Sequence, residues 1–228
     1  MINVPTAAGE MPAHLHLPDD DIGPGLVLVH EIFGVSTYVR QRAADLAAIG
    51  YVVLVPEFYW RLDPPPIDEA AEDFLQVAMG LAEQTDWAAA VDDGVAALHQ
   101  LAGLDTVRGP VGIAGFCWGG GLAFNVAAVA DPAVLVSWYG SALPQLLDLA
   151  PRVTAPSLHH FGTADAYIDA EAVARIRTAV AGPRTEFELY DGAGHAFDNP
   201  HPLFHHPAAS AAAWQRTADF LARELPVT

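Results

Sequence analysis

The chain contains no lysine and only one cysteine. Among 228 residues there is one cysteine, at position 117, and all 10 basic residues are arginines, against 28 aspartates and glutamates. A single cysteine excludes an intramolecular disulfide. The net charge of -18 argues against nucleic acid as a partner, because binding to phosphates relies on basic side chains.

Targeting and membrane signals are also missing. The first residues carry neither the basic region nor the apolar run of a signal peptide. Asn125, Asp131 and Pro132 interrupt the apolar stretch at residues 121–140, which is therefore not typical of a membrane span. We expect a cytoplasmic protein without membrane contacts. The length and the 52% hydrophobic content favour one domain over residues 1–228, as a monomer or homodimer.

Apolar segments with strand character alternate with segments of helical composition along most of the chain. This alternation predicts an α/β fold, in which a mostly parallel sheet carries helices on both faces. Ligands of such sheets bind beyond the carboxyl ends of the strands. The predicted strands are a hairpin at 2–5 and 11–17, then 26–30, 51–55, 111–114, 134–138, 157–161 and 186–190; the predicted helices are 36–49, 67–83, 86–101, 119–130, 169–180 and 208–224.

The one cysteine lies in a glycine-rich turn. Residues 115–120 read G-F-C-W-G-G, follow the apolar segment 111–114 and precede an alanine-rich segment. A strand, a sharp turn and a helix in this order are the context of a nucleophile elbow, here with sulfur in place of oxygen. Glycine is needed on either side, because a side chain would collide with the strand or helix. The alternative for Cys117 is a buried structural thiol.

A thiol nucleophile needs a base and a group that orients the base. Asp165 follows the predicted strand 157–161, and His195 lies on the glycine-rich loop after strand 186–190. The order Cys117, Asp165, His195 is the order of nucleophile, acid and histidine in α/β-hydrolases. Asp169 is the alternative acid, but it precedes a predicted helix and is more typical of a helix N-cap.

An apolar strand at 26–29 leads into His-Glu-Ile-Phe-Gly at residues 30–34. These residues, together with segments 115–120, 162–165 and 194–197, resemble the corresponding motifs of the dienelactone hydrolase family. The resemblance implies the α/β-hydrolase fold and a hydrolase that opens a lactone or small ester through an acyl-thioester. It implies no cofactor.

The resemblance also implies a role for each matching position. Cys117 would be the nucleophile, His195 its base and Asp165 the orienting acid. Glu31 would accept the thiol proton when substrate binds, although a carboxylate beside a thiolate otherwise opposes its ionisation. An alternative for Glu31 is a loop carboxylate that caps a backbone N–H. The backbone N–H groups of Ile32 and Trp118 would receive the oxyanion.

The residues expected to contact substrate are Arg61, Tyr59, Trp60 and Asn199. Segment 56–61 resembles the part of the family that carries an arginine for a substrate carboxylate, which a guanidinium holds by two hydrogen bonds. The family has a second arginine four residues after the catalytic histidine, where this chain has Asn199. This departure favours a lactone or activated small ester other than the dienelactone.

Two other functions fit the same residues. Cys117 could be a redox-active thiol, although the chain has no second cysteine to resolve it, or the protein could bind a ligand without turning it over. A metal site is not favoured, because no cysteine or well-spaced carboxylate completes the histidine sets. These sets are His14 with His16, and His201 with His205 and His206. No glycine loop for a nucleotide follows any strand.

Overall fold

The computed structural model describes residues 1–227. Strands and helices alternate after an initial hairpin, as the sequence predicts. The strands are β1 (Ile2–Thr6), β2 (Gly9–His16), β3 (Gly23–Val29), β4 (Val52–Pro56), β5 (Val107–Phe116), β6 (Leu135–Trp138), β7 (Ser157–Gly162) and β8 (Thr185–Tyr190). The helices are α1 (Thr37–Ala48), α2 (Phe74–Gln84), α3 (Trp87–Ala102), α4 (Trp118–Ala130), α5 (Ala170–Val180) and α6 (Pro207–Glu224).

The eight strands form one sheet in the order β1-β2-β4-β3-β5-β6-β7-β8. β2 pairs antiparallel with β1 and with β4, and all other neighbours are parallel. The central strands β3, β4, β6 and β7 are buried along their whole length, and β3 and β4 accordingly lack charged and polar side chains. The prediction of an α/β-hydrolase fold with a mostly parallel sheet is confirmed.

Helices cover both faces of the sheet. α1 and α6 meet where the Arg42 guanidinium lies 4.9 Å from the Trp214 ring. α3 and α4 meet where the Trp87 indole donates to the side-chain oxygen of Asn125 over 2.8 Å. The side-chain oxygens of Ser36, Asp86 and Asp169 cap α1, α3 and α5, because each accepts from a backbone N–H in the first turn.

The prediction of a helix over residues 67–83 is wrong at its start, since α2 begins only at Phe74. Three prolines at 64–66 lack backbone donors. Asp68 Oδ1 then accepts from the Ala70 N–H over 3.0 Å, which closes a local turn that competes with helix formation. Within residues 1–227, no helix is both long enough and apolar enough to cross a membrane.

His159 in β7 is fully buried between the rings of Phe124 and Phe187. Neither of its ring nitrogens has a hydrogen-bond partner among residues 1–227. Burial lowers the pKa of His159 from 6.5 to about 4, because the charged imidazolium would lose its hydration. The folded protein therefore holds this histidine neutral where the unfolded chain would protonate it.

This difference predicts a loss of stability in mild acid. The unfolded state binds more protons below pH 6.5, so the free energy of unfolding falls as the pH drops from 6.5 towards about 4, by up to about 3 kcal/mol from this group. His159→Leu should remove that part of the pH dependence. Urea unfolding at pH 7.5, 6 and 5 measures it, with exposed His205→Asn as the matched control. An unchanged pH profile in His159→Leu would contradict the assignment.

Candidate active site

Cys117 lies at a strained turn between β5 and α4. Its backbone has φ 52° and ψ -117°, a conformation that costs free energy for any residue other than glycine. The neighbouring glycines permit the turn. A Cβ on Gly115 would lie 2.1 Å from the Gly119 carbonyl oxygen, and one on Gly119 would lie 2.3 Å from that of His30. The close contact of Gly119 with His30 brings the carboxyl end of β3 against the start of α4.

The three residues that the sequence predicts as a triad are in contact. His195 Nε2 lies 3.0 Å from Cys117 Sγ, and His195 Nδ1 donates to Asp165 Oδ2 over 2.7 Å. Cys117 is only 6% exposed and Asp165 is 8% exposed, so these contacts are shielded from water. Low-dielectric surroundings strengthen such interactions.

Asp165 and Asp169 have different partners. Besides His195, Asp165 accepts through Oδ1 from the backbone N–H groups of Tyr167 and Ile168, at 2.8 and 3.0 Å. Asp169 instead accepts from the Ala172 N–H over 2.7 Å and caps α5. Of the two aspartates, Asp165 is therefore the one that contacts His195.

His195 is surrounded by groups that attract a proton. Burial opposes its charged form, but the Cys117 sulfur and the Asp165 carboxylate outweigh burial and raise the pKa of His195 to about 10. The His195 ring also makes edge-to-face contacts with two tyrosine rings, Tyr139 at 5.3 Å and Tyr167 at 5.1 Å between centroids. The site is built to hold an imidazolium beside sulfur.

Glu31 is fully buried on the loop after β3. Its Oε2 accepts from the side-chain amide of Asn199 over 2.7 Å, and its Oε1 has no partner among residues 1–227. Burial raises the pKa of Glu31 from 4.5 to about 8, against the opposing effects of Asn199 and His195. No backbone N–H among residues 1–227 donates to the Glu31 carboxyl group, so the contacts do not favour the alternative role of Glu31 as a cap.

Buried His30 holds the loop that carries Glu31. Its Nε2 accepts from the Phe58 N–H over 3.2 Å, so its Nδ1 carries the proton and donates to the Glu31 carbonyl over 2.7 Å. Burial lowers the pKa of His30 and keeps the ring neutral. Tyr59 supports the same loop, because its hydroxyl donates to the Ile32 carbonyl over 3.1 Å.

The N–H groups of Ile32 and Trp118 were predicted to receive the oxyanion. Ile32 lies on the loop after β3, and Trp118 is the first residue of α4, where helix amides are unsatisfied and the helix dipole favours negative charge. In the part of the chain that the structure describes, neither amide donates a hydrogen bond. Both are therefore available to a ligand.

A cavity of about 660 Å³ adjoins the Glu31 loop. The predicted contact residues Tyr59 and Trp60 line it, with Phe33 and Gly34. Tyr59 connects it to the site, since its ring lies 5.7 Å from that of Trp118. Among residues 1–227, neither Cys117 nor Arg61 lies on the wall of this cavity.

Arg61 has a partner inside the protein. Its guanidinium donates to Asp93 on α3 through two nitrogens, at 2.5 and 2.9 Å, and lies 4.5 Å from the Trp60 ring. Asp93 is 1% exposed and also accepts from the Trp60 indole over 3.0 Å. The contacts therefore do not favour Arg61 as a ligand of a substrate carboxylate, and that role stays a prediction. Asn199, likewise, is 1% exposed and faces Glu31.

Sequence reasoning missed a buried polar network behind Glu31 and His195. Asp198 accepts from the Arg42 guanidinium at 2.6 and 2.7 Å, from Tyr38 at 2.6 Å and from Ser210 at 2.6 Å. Tyr38 also contacts the hydroxyl of Tyr139 at 3.2 Å. The only sequence signal is that Asp198 directly precedes Asn199. The network joins α1 and α6 to the loop that carries Asn199.

Three of the five histidines in the candidate metal sets have other partners. His14 lies 2.8 Å from Glu57, His201 accepts from the Leu203 N–H over 3.2 Å, and His206 accepts from the Ala209 N–H at the start of α6. Residues 1–227 contain no group of three or more histidine, cysteine or acidic side chains placed to hold a metal ion.

Comparison with known proteins gives one consistent result. The model of the dienelactone hydrolase family matches residues 11–225. Carboxymethylenebutenolidase from Pseudomonas sp. (strain P51) is 35% identical, over 96% of this chain and 92% of that protein. Carboxymethylenebutenolidase 1 from Cupriavidus pinatubonensis is 30% identical, over 95% and 93%. A crystal structure from Klebsiella pneumoniae, assigned as a dienelactone hydrolase, has a TM-score of 0.85 at 27% identity, over 97% of each chain.

Proposed function

Because the chain belongs to the dienelactone hydrolase family, we propose that it hydrolyses a lactone or small carboxylic ester through an acyl-thioester on Cys117, without a cofactor. The observation that carries this proposal is the contact of Cys117 Sγ with His195 Nε2 at 3.0 Å and of His195 Nδ1 with Asp165 at 2.7 Å. The relatives named carboxymethylenebutenolidase support a lactone as the substrate.

The first step forms the thioester. The Cys117 thiolate attacks the carbonyl carbon, and the resulting oxyanion accepts from the N–H groups of Ile32 and Trp118. When the tetrahedral intermediate collapses, the C–O bond of the ester or ring breaks. The protonated His195 then donates its Nε2 proton to the departing alkoxide. A lactone is thereby converted to a thioester that carries a free hydroxyl, whereas an open ester leaves its acyl group on the sulfur and releases an alcohol.

The second step restores the free protein. Neutral His195 now takes a proton from a water molecule as that water attacks the thioester carbonyl, and the same two amides stabilise the second oxyanion. The C–S bond breaks, the thiolate leaves and a carboxylic acid is released. His195 is again an imidazolium beside a thiolate, and Asp165 holds its orientation throughout.

We further infer that the substrate is uncharged near the reacting carbonyl. Arg61, the expected ligand of a carboxylate, is already neutralised by Asp93. The cavity beside the site is lined by the aromatic rings of Tyr59 and Trp60 and by four acidic residues against one arginine, Arg40. An anionic lactone would meet repulsion there, whereas a neutral one would lose nothing.

Turnover of an activated aryl ester tests the reaction. We expect a burst of phenol followed by steady release, because acylation and deacylation are separate steps. Cys117→Ala should reduce turnover by about a thousandfold or more while unfolding free energy changes by less than about 2 kcal/mol. Release of one equivalent without turnover would indicate a redox-type thiol, and no release a binding protein. A panel of lactones and aryl esters then identifies the substrate class.

The assignment of the acid predicts unequal effects of two similar substitutions. Asp165→Asn should lower kcat by up to about ten-thousandfold, because His195 loses the group that fixes its tautomer. Asp169→Asn is the matched control and should retain activity, since asparagine caps a helix as well as aspartate does. His195→Ala combined with Asp165→Asn should be no worse than His195→Ala alone. Additive losses would mean that the acid is misassigned.

The pairing of Arg61 with Asp93 predicts how Arg61→Ala changes KM for charged and for neutral substrates. Arg61→Ala should change KM for a carboxylate-bearing lactone and for its neutral methyl ester by the same factor, because Asp93 already takes up the arginine's charge. The measurement is KM for this matched substrate pair in wild type and variant. A rise of about 10 to 100-fold in KM for the acidic lactone alone would instead assign Arg61 to the substrate carboxylate.

A further inference from the structure

Glu31 is a fully buried carboxyl group, and the one hydrogen-bond donor that residues 1–227 supply to it is uncharged. The amide of Asn199 donates to Oε2 at 2.7 Å, and Oε1 has no partner among residues 1–227. A buried carboxylate normally needs a cation or several donors to offset its lost hydration. One amide offsets little of the desolvation cost of an ionised carboxylate, whereas a protonated carboxylic acid loses far less hydration on burial.

The charged groups around Glu31 do not supply the missing cation. The nearest arginine of the adjoining network, Arg42, is bound by both oxygens of Asp198 and by Asp45. Asp198 and Glu69 add negative charge near Glu31. Tyr38, Tyr59 and Tyr139 surround it as neutral hydroxyls. His195 is the one positive group acting on Glu31, and it already faces Asp165 and Cys117.

We propose that burial without a neighbouring cation keeps Glu31 as an uncharged carboxylic acid in the free protein, so that no negative charge lies beside the Cys117 sulfur before substrate arrives. Asn199 is then a positioning residue, because it holds Oε2 of Glu31 through one amide and brings no positive charge that would ionise the carboxyl group. This proposal rests on the assignment of Cys117 as the nucleophile.

The protons balance without any further reactant. Glu31 and His195 each hold one proton and Cys117 holds none, so the three groups together are neutral. The expectation from the family resemblance placed the thiol proton on Glu31 only when substrate binds. Here a proton is already on Glu31, and substrate binding has no proton to move from the sulfur. The thiol is therefore ready before the reaction begins.

Infrared spectroscopy reads the protonation of Glu31 directly. Protonated carboxylic acids have a carbonyl band separate from the bands of ionised carboxylates. Wild-type protein at pH 7 should show one such band that Glu31→Gln lacks. The band should disappear as the pH rises through about 8. The matched control Glu10→Gln, at an exposed position, should keep it. No band at pH 7, or a band that survives in Glu31→Gln, would overturn the proposal.

The rate at which iodoacetamide alkylates the single cysteine measures the effect of Glu31 on the reactivity of Cys117, independently of ester turnover. Asn199→Arg gives Glu31 a cation, so Glu31 should ionise and alkylation at pH 7 should slow by about tenfold. Gln41→Arg adds the same charge at an exposed position and should leave the rate unchanged.

The Glu31→Gln variant decides between the two charge states even if Asn199→Arg does not fold. If Glu31 is neutral, Glu31→Gln removes no charge and does not speed alkylation. If Glu31 were ionised in the free protein, Glu31→Gln would relieve repulsion and speed alkylation by about tenfold or more, which would overturn the proposal. Failure of the ester assay with a normal infrared band would instead disprove the proposed reaction and leave the charge state of Glu31 intact.

Discussion

The close contact between the start of α4 and the end of β3 is the constraint from which the site follows. Gly119 has no side chain, so its backbone reaches the carbonyl oxygen of His30, where a Cβ would lie at 2.3 Å. This contact lies two residues from the strained backbone of Cys117 and brings Trp118 beside His30, whose ring stacks on the Trp118 indole at 5.7 Å. The proposed nucleophile and the proposed oxyanion donor Trp118 therefore depend on one pair of packed backbones.

Asp165, Asp198 and Glu31 are buried carboxyl groups that each have a different kind of partner. Asp165 accepts from His195 and from two backbone amides. Asp198 accepts from a guanidinium and two hydroxyls. Within the described part of the chain, Glu31 has the Asn199 amide as its one donor. Since the partner sets the cost of burying charge, the first two suit an ionised group and Glu31 suits a neutral one.

Several sequence predictions rest on local signals and match the structure. The glycine spacing around Cys117, the order of Cys117, Asp165 and His195, and the cap character of Asp169 all depend on residues close to one another or on the order of strands. The helix predicted from residue 67 is wrong, because its composition is helical but the turn at Asp68 and the preceding prolines delay the start to Phe74. There the local hydrogen bond outweighed helix propensity.

The sequence by itself determined the alternation of strands and helices, the elbow and the order of the proposed catalytic groups, because short-range spacing and strand order carry this information. Only the tertiary structure decided the partners of the charged groups. Asn199 meets Glu31 across 168 positions, and Arg61 meets Asp93 across 32. Such pairs form where distant segments pack, so the charge state of a buried group depends on neighbours that no local pattern specifies.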